Sequence, residues 1–125
     1  MMELTINDQV YAFNFGMGFM RKINKTLVKP IDGIPGEKEN IGLQFRIAGV
    51  ISGDVEALVC VLDAANEGQN PRVTQALLDS YIDDEETDID ALFDTVIDFL
   101  KKANATKKTT LKLLEEYNKM NAPEA

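Results

Sequence analysis

Residues 13–25 read FNFGMGFMRKINK, and this stretch decides how the N-terminal part of the chain folds. The run VYAFNF at 10–15 alternates as a hairpin strand does, with its aromatic side chains on one face. From Gly16 onward the apolar residues recur at helical spacing. The change of period falls on Gly16 and Gly18, so this pair marks either a turn from strand to helix or a phosphate-binding loop.

The glycine pair does not match a nucleotide-binding motif. The dinucleotide fingerprint needs a third glycine at the sixth position, where this chain has Arg21, and a strand buried on both faces. The acidic residue at the expected distance, Glu37, lies in a Pro/Gly-rich segment, and no GK[ST] sequence provides a P-loop. We therefore interpret Gly16 and Gly18 as a joint between a hairpin and a helix.

The hydrophobic pattern predicts an α+β fold that is mostly α-helical, with an N-terminal β-hairpin packed on a small bundle of about five helices. Asn7-Asp8-Gln9 separates two β-prone runs and predicts the turn of the hairpin. We expect a single domain over 1–125 with five parts: a β-hairpin at 1–15, a helix at 16–27, a loop at 28–40, a helical core at 41–103, and a C-terminal helix with a frayed tail at 104–125.

Residues 41–51, IGLQFRIAGVI, predict the first helix of this core, and a short buried strand is the alternative because the run is rich in Ile and Val. As a helix, the segment presents an apolar face of Ile41, Phe45 and Ala48 with the neighbouring Ile47 and Ile51.

The helices that follow are predicted with clearer ends. Residues 54–67 form a helix that begins near Ser52 or Asp54 and is apolar on most faces, so it belongs in the centre of the molecule, with Cys60 buried. Thr74 caps a short helix. The clearest helix spans 89–103, and the last spans roughly 107–120, before Pro123.

The net charge of −8 is unevenly distributed along the chain. Residues 79–98 carry nine acids and no base, whereas residues 99–125 carry six bases and three acids. An acidic chain without a basic patch repels phosphate backbones, so no nucleic-acid partner is expected. The asymmetry either steers a basic protein partner or keeps the protein soluble.

The residue inventory predicts no enzyme, no catalytic residue, no cofactor and no metal site. Histidine is absent, and the single cysteine excludes an intrachain disulfide and a Cys-based zinc site. The acidic run DDEETDID at 83–90 lacks the turn glycine and the final glutamate of a calcium loop, so it is interpreted as a solvated link. No apolar run reaches the roughly 18 residues of a membrane span, and the N-terminal residues MMELTINDQ lack the basic start and the apolar run of a signal peptide, so a cytoplasmic protein is expected.

More apolar side chains are present than one small core obviously needs. They either fill the core or form a surface that meets a partner, for example a groove that receives an amphipathic helix. The residues expected to bind another protein are Met17, Tyr81, Phe99, Leu111, Leu113 and Tyr117.

The order of segments resembles the tail assembly chaperones of long-tailed phages and prophages of Gram-positive bacteria. The resemblance begins in MELTINDQVYAFNFGMGFMRKINK, where a hairpin runs through an F-x-F-G-x-G-F joint into a basic amphipathic helix. It continues through GDVEALVCVLDAAN and through VTQALLDSYIDDEETDIDALFDTVIDFLKKANATKK, an acidic link that leads into a helix ending in lysines. Nearly the whole chain is covered, although no single motif is diagnostic.

The resemblance implies a non-enzymatic role in the cytoplasm of a bacterial host. Such chaperones coat the helical tape-measure protein before the tail tube polymerises, and a longer frameshifted form engages the tail tube protein. This chain looks like the short form, and self-association of neighbouring copies is expected. The alternative is a small adaptor or regulatory protein-interaction domain, resembling a head–tail connector component or an antitoxin. No binding residue of the family transfers securely to this chain.

Overall fold

The N-terminal hairpin forms where the sequence predicts it. In the computed structural model, which describes residues 1–121, strand β1 (Met2–Ile6) pairs antiparallel with strand β2 (Gln9–Phe13). Asn7 and Asp8 close the turn with φ angles of 52° and 63°, a conformation that Asn and Asp tolerate. One face of the hairpin lies in the core and carries Met2, Ile6, Tyr11 and Phe13.

Within residues 1–121 six helices follow the hairpin, which confirms the mostly helical α+β fold. They are α1 (Met17–Asn24), α2 (Gly42–Ile51), α3 (Val55–Asn66), α4 (Gln75–Asp83), α5 (Ile89–Lys102) and α6 (Lys107–Met120). Asp54, Thr74 and Asp88 cap α3, α4 and α5 by accepting hydrogen bonds from first-turn N–H groups. The frayed tail predicted after α6 lies outside the described residues.

The prediction of a loop at 28–40 is wrong, because the ends of this segment pair as a second hairpin. Strand β3 (Val28–Pro30) is antiparallel to strand β4 (Lys38–Asn40), and Lys29 and Glu39 form an ion pair across it at 3.3 Å. All six strand residues are exposed. A pair of three-residue strands without a buried face leaves no alternating pattern from which the strands are predicted.

Helix α3 packs against β2, α1, α2 and α4, as its apolar surface predicts. Leu58, Val61 and Leu62 are completely buried in the core. Cys60 was expected to be buried and is instead partly exposed. It lies on the flank of α3, where the neighbouring helices leave part of its side chain uncovered.

Helix α2 packs closely on its neighbours through two glycines. A Cβ atom at Gly42 would collide with the backbone oxygen of Ile23 at the end of α1, and one at Gly49 would lie 2.7 Å from Cβ of Ala57 on α3. These contacts set the orientation of α2, and Leu43, Ile47 and Val50 become its buried side chains.

This orientation corrects the predicted apolar face of α2. Phe45 was placed on that face, but 53% of it is exposed, and Ile41 and Ala48 are only partly buried. Nearly every residue of α2 is apolar, so periodicity alone does not distinguish the buried side from the exposed one.

Asn66 is a fully buried polar residue in the last turn of α3. Its amide nitrogen donates to the carbonyl oxygens of Ala12 in β2 (2.9 Å) and Pro71 (3.3 Å). Its amide oxygen accepts from the backbone N–H of Val73 (2.6 Å) and from the guanidinium of Arg72 (3.0 Å). The residue therefore joins the first hairpin, α3 and the segment that leads into α4.

We expect Gly42→Ala to destabilise the protein by about 1–3 kcal/mol, because the added methyl group must displace backbone at the end of α1. Gly18→Ala is the matched control, since nothing lies within 4 Å of a Cβ atom there. In the helix this change should stabilise by about 0.5 kcal/mol. Urea denaturation of both variants measures the difference. Equal stability of the two would contradict the close contact between α1 and α2.

We expect Asn66→Ala to lower the free energy of unfolding by about 2–4 kcal/mol, because it leaves the buried Ala12 carbonyl and Val73 N–H without their partner. Asn118→Ala on the exposed face of α6 is the control and should change the free energy of unfolding by less than about 0.5 kcal/mol. Thermal melting followed by circular dichroism compares them. A small loss for Asn66→Ala would show that water replaces these bonds.

Candidate protein-binding surfaces

Two of the predicted binding residues, Met17 and Phe99, line the same groove. This groove, called here the Phe99 groove, has a volume of about 420 Å³ and is formed by Met1, residues 13–17, Phe99 and residues 102–105. It lies where the first hairpin meets the start of α1 and the end of α5. Met17 and Phe99, 82 positions apart in the sequence, thus contribute to one surface, a juxtaposition that periodicity does not predict.

Aromatic rings form the floor of the Phe99 groove. The ring centroid of Phe15 lies 5.2 Å from that of Phe19 in an edge-to-face contact, and 6.1 Å from that of Phe99. Phe13 and Phe15 are buried, whereas Phe99 is half-buried. Met17 lines the groove and is 46% exposed.

The predicted joint lies along this groove. Asn14 accepts a hydrogen bond from the N–H of Gly16 through its side chain, and its own N–H donates to the carbonyl of Ala65 in α3 at 2.8 Å. Gly16 is the N-cap residue of α1. The preceding strand belongs to a two-stranded antiparallel hairpin, unlike the buried parallel strand of a dinucleotide site.

Lys102 is the charged residue that lines the Phe99 groove, at one edge. The ammonium group of Lys102 donates a hydrogen bond to the carboxylate of Asp98 at 2.8 Å, and this bond lowers the pKa of Asp98. The pair is exposed to solvent, so it orients the Lys102 side chain and adds little to stability.

Leu113, a third predicted residue, lies in a different groove. Residues Lys29, 39–41, Gln44, Phe45, Ala48 and Leu113 form this second surface, the Phe45 groove, with a volume of about 300 Å³. Phe45 is its most exposed large apolar side chain, and the guanidinium of Arg46 lies 5.6 Å from the centre of its ring. Phe45 was not predicted as a binding residue. The available signal was that α2 has more apolar residues than one face can bury.

The other predicted residues of α6, Leu111 and Tyr117, are exposed to solvent. Helix α6 is held on its inner side by two threonines: Thr106 donates to the Leu100 carbonyl at 2.7 Å, and Thr110 is fully buried. Leu111 is 47% exposed, with Lys107 and Lys108 one turn before it and Glu115 one turn after it.

Tyr81 lies apart from these grooves. It is a partly buried residue of α4 that packs against the core, and its carbonyl accepts a hydrogen bond from Thr87 at 2.7 Å. The six predicted residues are therefore distributed over several surfaces, and only Met17 and Phe99 share one.

A third surface combines apolar side chains with acids. Two depressions of about 440 and 470 Å³ share Val55, which is 41% exposed, and together they are called here the Val55 surface. Its apolar part consists of Val50, Ile51, Val55, Val59, Ile82, Ile89, Phe93 and Ile97. Its acids are Glu56, Asp79, Asp83, Asp90 and Asp94, and no Lys or Arg among the described residues lines it.

Two other kinds of feature were sought in residues 1–121. No three Asp, Glu or Cys side chains converge there as they would around a metal ion. None of the described helices has the length and apolar character required of a membrane span.

Comparison with protein families identifies the chain. The family model for phage tail assembly chaperone protein, TAC, matches residues 3–115, which include all but the first residue of the N-terminal hairpin, the second hairpin and most of the helical region. Comparison with curated proteins and with solved structures gave no match. The family match confirms the resemblance predicted from the order of the segments. The chain therefore belongs to the phage tail assembly chaperone family.

Proposed function

We propose that this protein binds the tape-measure protein of a phage and keeps it soluble until the tail tube polymerises around it. The proposal rests on membership of the tail assembly chaperone family. The observation that supports a particular binding surface is the Phe99 groove, in which aromatic rings form the floor and methionines form the rim. An apolar stripe on a helix of the client occupies that groove.

The chemistry of the groove suits a client with a variable sequence. Methionine side chains are flexible and polarizable, so Met1 and Met17 adapt to different apolar partners. Phe15 and Phe99 form a rigid base whose position does not depend on the client. A long helical protein presents many similar stripes, and one adaptable groove can bind each of them.

Weak contacts are sufficient for such a chaperone. A micromolar site contributes about −8 kcal/mol, and copies bound side by side on one client gain further from effective concentration. The protein acts without catalysis in the cytoplasm of the bacterial host. Neighbouring copies associate with one another, and this chain is the short form of a frameshifted pair whose longer form engages the tail tube protein.

The client test is co-expression with the tape-measure protein encoded by the same phage. We expect the tape-measure protein to move from the insoluble to the soluble fraction and to co-purify with the chaperone. Co-expression with an unrelated coiled-coil protein is the control. The proposed client would be refuted if the tape-measure protein stayed insoluble with this chain and became soluble when co-expressed with another chaperone.

The groove test is Met17→Glu, which places a charge at the rim where the client lies. We expect its affinity for the tape-measure protein to fall by at least about tenfold, or about 1.4 kcal/mol. Met120→Glu is the control, because Met120 is highly exposed at the end of α6 and belongs to none of the three surfaces. Co-purification measures both, after melting curves show that each variant is folded. Equal losses, or none, would exclude the Phe99 groove.

A further inference from the structure

We propose that the Val55 surface of one copy binds the basic N-terminal half of α6 of the next copy, so that copies associate head to tail. The proposal deepens the self-association that belongs to the proposed function and names the two surfaces in contact. It follows from charge and apolar exposure on this chain alone, and it is tested without a client.

The Val55 surface has the composition of a site for a cationic amphipathic helix. Partly exposed Val55, Val59 and Phe93 provide apolar area between α3, α4 and α5. The acids surround this area on both sides, with Asp79 beside one depression and Asp94 beside the other. Apolar area at the centre with like charges around it favours a partner of opposite charge and resists a second copy of itself.

The first half of α6 has the complementary composition. Lys107, Lys108 and Lys112 are exposed; Lys107 and Lys108 lie one turn before the exposed Leu111 on the same face of the helix, and Lys112 directly follows it. The acid one turn after Leu111, Glu115, is paired with Lys119 at 3.3 Å. No acid occurs between Lys107 and Leu114, and none of these three lysines forms an ion pair within the described residues. One exposed leucine among three lysines matches an apolar depression surrounded by acids.

Within one copy the two surfaces have no lining residue in common, and among residues 1–121 no ion pair joins a lysine at the start of α6 to an acid of the Val55 surface. Helix α6 is also held against the body by the hydrogen bond from Thr106 to Leu100 and by buried Thr110. The partner of each surface therefore belongs to another molecule.

Contact between two different surfaces is heterologous, and it continues from copy to copy unless the rotation closes a ring. The proposed contact uses no residue of the Phe99 groove, because the lining of that groove shares none with the Val55 surface or with Lys107, Leu111 and Lys112. Copies that associate in this way present their client-binding grooves at regular intervals.

Charge reversal tests the contact with purified protein. We expect the wild-type chain to sediment as concentration-dependent oligomers at about 0.05 M NaCl and to dissociate at about 0.5 M NaCl, where exposed charges are screened. Asp79→Lys/Asp94→Lys and Lys108→Glu/Lys112→Glu should each weaken association by at least tenfold. An equimolar mixture of the two variants should associate again, since each reversed surface then meets its complement.

The control is Asp32→Lys/Glu37→Lys, which makes the same change of charge on the exposed second hairpin and should associate like the wild type. Melting curves establish that all variants are folded. A monomeric wild type at low salt would overturn the proposal. So would oligomers unaffected by either reversal, or a mixture that stays monomeric. Loss of client co-purification by Asp79→Lys/Asp94→Lys, with wild-type oligomers retained, would assign the Val55 surface to a basic helix of the client instead.

Discussion

The hydrogen bonds between the end of β2 and the end of α3 are the constraint on which the rest of the structure depends. Asn66 donates to the Ala12 carbonyl at 2.9 Å, and Asn14 donates its backbone N–H to the Ala65 carbonyl at 2.8 Å. A two-stranded hairpin is marginal by itself and must be anchored to something larger. Here α3 provides the anchor, and the same contact aims Phe13 and Phe15 into the core and sets where α1 begins.

The Phe99 groove follows from that anchoring. With Phe15 held in place, Phe19 on the adjacent helix α1 and Phe99 on the distant helix α5 both contact its ring and form one aromatic cluster. A floor built in this way belongs partly to the core, since Phe13 and Phe15 are buried. The adaptable part is confined to the rim, where Met17 is exposed.

The surfaces of the molecule differ in the charges that they carry. The Phe99 groove has one exposed ion pair at its edge, between Lys102 and Asp98. The Val55 surface carries five acids, and the start of α6 carries three lysines. Under the proposed function, this separation reduces competition between client binding and contact among copies. In the sequence, the acidic block at residues 79–98 is equally consistent with a role in solubility. In the structure, acids of this block lie next to exposed apolar side chains.

The sequence by itself determined the class of fold and the positions of most elements, because strand alternation, helical spacing and capping residues such as Asp88 act locally along the chain. The family was recognisable for the same reason, since its signature is an order of segments. Other features depend on contacts between distant residues. The burial of Asn66, the outward turn of Phe45 and the meeting of Met17 with Phe99 were decided only by tertiary structure. The close contact of Gly42 with the end of α1 sets the orientation of α2. Because α2 is apolar on almost every side, no local pattern predicts which side then faces solvent.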